Sequence, residues 1–176
     1  MKSTGVVRRI DDLGRIVIPK EIRRTLRIRD GESLEIYIEN DTILLKKYSP
    51  MDDLYEISNE LVNIISQSLN KDIFITDGDK IIAISGSLKS KYLDKNISNF
   101  IVEKLNNREN YSVKSISDIE FINNQSEKCS CVINPIIANG DGIGVVVIFS
   151  LTGQINDLDL KIASIISKFL GVYIEE

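Results

Sequence analysis

The alternation of apolar and polar positions changes its period along the chain, and each change marks an element. Residues 4–10, Thr-Gly-Val-Val-Arg-Arg-Ile, carry the β-branched content of a strand. Asp11-Asp12-Leu13-Gly14 then supplies a turn whose glycine can take a positive φ, and Arg15-Ile16-Val17-Ile18 reads as a second short strand. Pro19 suits the first position of a helix, Glu21 favours its N-terminal turn, and Ile22 with Leu26 gives it a single apolar face, which predicts a helix of about two turns. After Asp30-Gly31, Leu34, Ile36 and Ile38 alternate with Glu35, Tyr37 and Glu39 as a strand, and Asn40-Asp41 turns the chain into Ile43-Leu44-Leu45-Lys46-Lys47. The predicted order is β, β, α, β, β. Tyr48-Ser49-Pro50 closes this segment, and the domain boundary is placed near residue 50.

From Met51 the pattern turns helical. Leu54, Ile57, Leu61 and Ile64 recur at intervals of 3, 4 and 3, and Ile155, Leu158, Ile162, Ile165, Phe169 and Val172 keep the same rhythm near the other end. Both read as narrow seams that pack helix on helix, within one chain or between two. Between them the sequence predicts strands at 72–76, 80–85, 112–117, 131–138 and 144–150, with one or two helices across 91–106. Asp77-Gly78-Asp79 and Asn139-Gly140-Asp141-Gly142 are turn signals, so adjacent strands are expected as antiparallel hairpins. Residues 51–176 therefore read as an α+β domain with helices set against an antiparallel sheet.

Composition sharpens this picture. With 43% hydrophobic and 27% charged residues over 176 positions, the chain is globular rather than disordered. It contains no apolar run long enough to span a membrane and no signal-peptide core at its start, so a cytosolic protein is expected. The formal charge of -4 conceals an asymmetry: residues 1–29 hold nine basic and three acidic side chains, while residues 51–176 hold eleven basic and eighteen acidic. A basic head on an acidic body points to a polyanion partner for the head alone. That head, at some 48 residues, falls in the size range of roughly 40 to 60 residues where a domain needs staples or a partner. No staple is visible, and a dimer sharing one core is the physical consequence.

Enzymatic classes find little support. The chain has no histidine, so the commonest general base is missing, and no nucleophile–base pair, metal-ligand cluster or phosphate-binding glycine loop is visible. Cys129 and Cys131 are expected as half-buried strand thiols rather than as a disulfide or zinc site. No cofactor, catalytic residue or metal ligand is assigned.

The run from Thr4 through Ile10-Asp11-Asp12-Leu13-Gly14-Arg15 to Leu26 closely resembles the AbrB-type DNA-binding domain, and Leu34-Glu35-Ile36-Tyr37 with Leu44-Leu45-Lys46-Lys47-Tyr48 extends the match over residues 1–48. The resemblance implies a dimeric swapped-hairpin β-barrel whose arginines line one DNA-facing surface. Arg8, Arg15, Arg23 and Arg24 fall on that family's DNA-contacting positions, and Arg9 and Lys20 are added as phosphate contacts. An arginine fork can hold a phosphate or the O6/N7 edge of guanine with two hydrogen bonds, so these side chains can supply both anchoring and readout. In a strand Arg8 and Arg9 point to opposite faces, so at most one belongs to the main surface unless the strand is bent or at an edge. Asp11 and Asp12 are expected to cap the turn or to pair with arginines across the dimer, or else simply to be solvated.

The stretch Asn134-Pro135-Ile136-Ile137-Ala138 through Gly144-Val145-Val146-Val147-Ile148-Phe149-Ser150 resembles a GAF domain. With Ile84-Ser85-Gly86-Ser87 and Tyr92-Leu93 in order before it, the whole chain resembles two-domain sporulation regulators of endospore-forming bacteria. That resemblance implies a transcriptional regulator, activator or repressor, acting on double-stranded DNA in the forespore as a homodimer or a tetramer. The GAF-like part would then assemble the protein, receive an unidentified small-molecule ligand, or both. Ser85-Gly86-Ser87 and Asn139-Gly140-Asp141-Gly142 could line a pocket, or be ordinary turns. The competing reading is an antitoxin-like autoregulator with a toxin-binding C-terminal part.

Overall fold

A computed structural model describes residues 5–28, 30–48 and 55–175, with the side chain of Glu56 left aside. The chain divides into two compact units, Met1–Tyr48 and Ser49–Glu176, each considered by itself.

In the head, helix α1 spans Lys20–Thr25, directly after Pro19, whose extended backbone admits the chain into the first turn. Strands β1 (Leu34–Glu39) and β2 (Thr42–Lys47) form an antiparallel hairpin in which Ile38 faces Ile43 and Ile36 faces Leu45. The strands expected at 4–10 and 15–18 are not formed: residues 5–10 and 15–18 run as irregular chain around the 11–15 turn, and Thr4 lies outside the described residues. A strand exists only where a second one completes its ladder, and no ladder runs along these two segments among the described residues. Val7, Ile10, Leu13, Val17, Ile36 and Ile38 are all exposed, and no head residue among those described is fully buried.

The larger unit is built as a five-stranded antiparallel sheet in the order β4-β3-β7-β6-β5, formed by β3 (Asp72–Thr76), β4 (Ile81–Ser85), β5 (Tyr111–Ile122), β6 (Gln125–Ala138) and β7 (Asp141–Ser150). Its inner strands read as nearly continuous apolar runs because both faces are covered. Phe74, Val145, Val147, Phe149, Cys131 and Ile133 point into one cluster, and their alternating neighbours Ile73, Ile75, Val146, Ile148 and Val132 point into the other. Helices α3 (Lys89–Tyr92) and α4 (Asn99–Asn107) close the first cluster with Tyr92, Ile101 and Leu105. Helices α2 (Tyr55–Leu69) and α5 (Asp157–Glu175) close the second with Val62, Ala163, Ile166 and Leu170. Strands β5 and β6 run further than expected, and a hairpin at Asn123-Asn124 joins them.

The start of α5 is fixed by reciprocal hydrogen bonds. Asn156 Oδ1 accepts from the amides of Leu158 and Asp159, while the amide of Asn156 donates to Asp159 Oδ2 at 2.7 Å. The same Asp159 oxygen receives Lys71 Nζ at 2.5 Å, which ties the entry of β3 to α5.

The seams expected on α2 and α5 are divided between the core and the surface. The face of α5 that meets the sheet carries Asp159, Ala163, Ile166 and Leu170; of the predicted seam, Ile155 is buried and Ile162 packs against the same core, whereas Leu158, Ile165, Phe169 and Val172 are 57%, 65%, 43% and 58% exposed. On α2, Ile57 and Leu61 flank the core while Ile64 is exposed, and Leu54 lies outside the described residues. Cys129 and Cys131 are fully buried rather than half-buried, both on the α3/α4 side of β6. The adjacent thiol and burial push the Cys131 pKa up, which disfavours its thiolate.

Gly171 lets α5 approach the sheet. A Cβ there would stand 2.2 Å from the carbonyl oxygen of Ile137. Helix propensity alone makes Gly→Ala stabilising by about 1 kcal/mol. We expect Gly171→Ala instead to destabilise the protein by about 1–3 kcal/mol, because backbone must shift to admit the methyl. Urea unfolding of the two proteins decides the sign.

Candidate nucleic-acid interface

The turn that presents Arg15 is held by one carboxylate. Asp11 Oδ1 accepts from the amides of Leu13 at 3.0 Å and Arg15 at 2.8 Å, and Asp11 Oδ2 receives Arg15 Nε at 2.7 Å. The main chain closes the same loop, with the Asp11 amide donating to the Arg15 carbonyl and the Gly14 amide to the Asp11 carbonyl. Gly14 sits at φ +75°, a conformation that side chains with a Cβ rarely adopt. Asp11 thus caps the turn and pairs with Arg15 of its own chain. Arg15 is exposed, and its guanidinium is aimed by that contact.

Helix α1 presents a cationic face, because Lys20, Arg23 and Arg24 stand at i, i+3 and i+4. Arg23 and Arg24 occupy the last turn, where the helix dipole favours positive charge. Lys20 and Arg24 are exposed, while Arg23 is half-buried and its Nη1 donates to Asp30 Oδ1 at 2.6 Å. The Arg23 Nε is buried with no hydrogen-bond partner among the described residues. Arg27 continues the spacing and is exposed, with its backbone in the left-handed region at φ +53° where α1 ends. Its place at i+4 from Arg23 was available in the sequence as a signal for a further cation on this face.

Arg8 and Arg9 are both exposed on the irregular segment before the turn, and among the described residues the Arg8 guanidinium reaches the Val7 carbonyl alone, at 3.5 Å. With no strand there in the single chain, alternation does not separate the two arginines. The single head therefore groups Lys20, Arg23 and Arg24 on one helix and holds Arg15 at a fixed turn, and it does not bring these together with Arg8 and Arg9 through any contact among the described residues.

In the larger unit the serine- and glycine-rich turns are structural. Ser87 donates through both its amide and its Oγ to Asp72, and a Cβ on Gly86 would collide with that carboxylate. Asn139 and Gly140 both take positive φ, as a two-residue hairpin between β6 and β7 requires. The side of the sheet under α3 and α4 is packed with side chains, and the buried Tyr92 hydroxyl donates to Glu127 at 2.8 Å. Burial first, and then that carboxylate, push the Tyr92 hydroxyl pKa up, and the Lys91 ammonium holds the Glu127 carboxyl below its usual range. No group of three or more metal-ligating side chains occurs among the described residues, and none of the described helices is long and apolar enough to cross a membrane.

Comparison with known proteins fits this division. Residues 7–53 match the family model described as antidote-toxin recognition MazE, bacterial antitoxin. The transition state regulatory protein AbrB of Bacillus subtilis is 60% identical over 50 residues, which cover 28% of this chain and 52% of AbrB. Over 72% of this chain, and 95% of its own length, the GAF domain region of a membrane protein from Geobacter sulfurreducens superposes with a TM-score of 0.54 at 19% identity, which establishes the GAF-like fold of the larger unit. An AbrB-type head followed by a GAF-like unit defines a DNA-binding transcription regulator. Residues 53–175 match the model described as stage V sporulation protein T C-terminal, transcription factor, and stage V sporulation protein T of Bacillus subtilis is 43% identical over 178 aligned positions spanning all of both chains. The chain belongs to the stage V sporulation protein T family and is a sporulation transcription regulator. The antitoxin reading loses ground, since the C-terminal part matches a transcription-factor family.

The Asp11–Arg15 contact carries a pH signature. Hydrogen bonds from the Arg15 amide and guanidinium hold the Asp11 carboxyl below its ordinary value of 3.8. A depressed carboxyl contributes order above its unfolded pKa and loses it only as pH falls through the folded one. An NMR titration should therefore place the Asp11 midpoint below 3.8, with Asp11→Asn raising amide exchange at Leu13 and Arg15. A midpoint at or above that value means the turn is not tethered in solution.

Proposed function

We propose that the head, residues 1–50, binds promoter DNA as a homodimer, with Arg8, Arg15, Arg23 and Arg24 making the principal contacts and Arg9 and Lys20 meeting phosphates. The supporting observation is the division of labour within the head. One face of α1 is cationic and the 11–15 turn holds out an arginine, while the apolar side chains Val7, Ile10, Val17, Ile36 and Ile38 are left exposed. An apolar surface of this kind on so small a unit is what a second copy covers. In a swapped-hairpin dimer the segments 5–10 and 15–18 pair as strands with the second copy. Arg15 and Arg23 then exchange a surface carboxylate for a phosphate at small cost, because exposed ion pairs contribute only about 0–1 kcal/mol. The expected setting is the forespore.

The GAF-like part, residues 51–176, serves assembly. Leu158, Ile165, Phe169 and Val172 form an outward stripe along α5 with the spacing of a helix-packing seam, and this supports a tetramer built from two head dimers.

Two measurements test these readings. Fluorescence anisotropy with promoter duplexes across a salt series should show affinity falling with salt, and Arg23→Ala/Arg24→Ala should flatten the log–log slope by about 0.9 for each phosphate that is no longer neutralised. Equal slopes in the two proteins would remove these arginines from the interface. In sedimentation velocity, Ile165→Glu/Phe169→Glu should halve the assembly from tetramer to dimer. An unchanged tetramer would place the contact elsewhere.

A further inference from the structure

The polar cleft beside α5 has a structural origin. Strand β5 begins at Tyr111, opposite Ile133 of β6, so β6 residues 134–138 pair with β7 alone. Pro135 lies in that stretch and brings no amide hydrogen, as befits a strand edge that no neighbour covers. Between this edge, α5 and the α4–β5 connection lie two adjoining cavities of about 240 and 200 Å³, which share Asn110, Asn134 and Ser164.

The lining is cationic. Arg108 and Lys168 border the larger cavity, Ser164 and Ser167 add hydroxyls, and no carboxylate lines either space. Lys168 forms no ion pair among the described residues, and Arg108 reaches only the exposed Asp141, at 3.4 Å. Asn134 is almost wholly buried on the α5 side of β6, and its side-chain amide has no hydrogen-bond partner among the described residues. Arg108 ends α4 in the left-handed conformation, φ +53°, a position that glycine fills with less strain. Retaining an arginine there makes sense if its guanidinium has work to do in the cleft.

We infer that this cleft binds a small oxyanion, the carboxylate or phosphate group of a metabolite, between Arg108 and Lys168, with the Asn110 and Asn134 amides and the Ser164 hydroxyl as hydrogen-bond partners. Two cations with neutral donors and no acid in the lining match an anion of one or two charges, which has to displace only the exposed Asp141 from Arg108. Such binding does not depend on which arginines meet DNA.

The test uses the full chain, with inorganic phosphate and malonate as separate probes at constant ionic strength, followed by NMR of the side-chain amides. Saturable shifts of the Asn134 and Asn110 amides are expected with one or both probes, and the stronger probe identifies the anion class. Lys168→Ala and Arg108→Gly should each weaken binding roughly tenfold, whereas Arg23→Ala/Arg24→Ala should leave it unchanged. Arg108→Gly also guards against misfolding, since relief of the left-handed strain should raise Tm by roughly 2–6 °C while affinity falls. Linear, non-saturating shifts would overturn the proposal. So would affinity indifferent to Arg108 and Lys168, or saturation abolished only by the head variant, which would place the anion on the DNA-binding arginines.

Discussion

Burial of both faces of one antiparallel sheet is the constraint on which the larger unit depends. Strands β3, β7 and β6 can be apolar on alternate residues in both directions only because α3 and α4 cover one side and α2 and α5 the other. The helices must then come close, and Gly171 against the Ile137 carbonyl and Gly142 against the Leu105 carbonyl of α4 are places where a single methyl is too much. Interiors packed to this density transmit strain rather than absorb it. The ion pair of Lys71 with Asp159 belongs to the same logic, joining the end of the α2–β3 connection to the first turn of α5. Its value lies in geometry more than in net energy, because a desolvated pair recovers little beyond its desolvation cost.

The head is governed by the opposite condition. It holds one short helix and one hairpin, and the described residues leave its apolar side chains open to solvent. Its local order comes instead from specific hydrogen bonds such as those of Asp11 with Leu13 and Arg15, which set directions without needing a core. Local order thus has two sources along the chain: packing around a buried sheet in the acidic unit, and specific hydrogen bonds in the basic one.

Much of this is legible in the residues. Asn139-Gly140 demands positive φ at two successive positions and so announces the β6–β7 hairpin, and the dense apolar runs at 72–76 and 144–150 locate the central strands. The ends of β5 and β6, from Asp118 to Ser130, are not legible, because their mixed polar composition resembles a loop until the partner strand is known. The orientation of α5 escapes the sequence for a related reason. It carries two apolar stripes, and periodicity reveals that stripes exist without saying which one meets the sheet. At the candidate interface, the arginines are found through resemblance to a known family, and Asp11 is expected at the turn with its partner left open. The cleft beside Arg108 has no sequence signal, since it depends on where β5 begins relative to β6.

Cys129 and Cys131 are the only thiols in the chain, and both are sealed beneath α3 and α4. A thiol reagent can reach them only when that side of the sheet opens, so the rate of alkylation measures how often the core breathes rather than how reactive its cysteines are. The protein consequently carries an internal clock for the opening of its larger unit, one that needs no engineered label and that any event tightening or loosening the α3/α4 cover will slow or quicken.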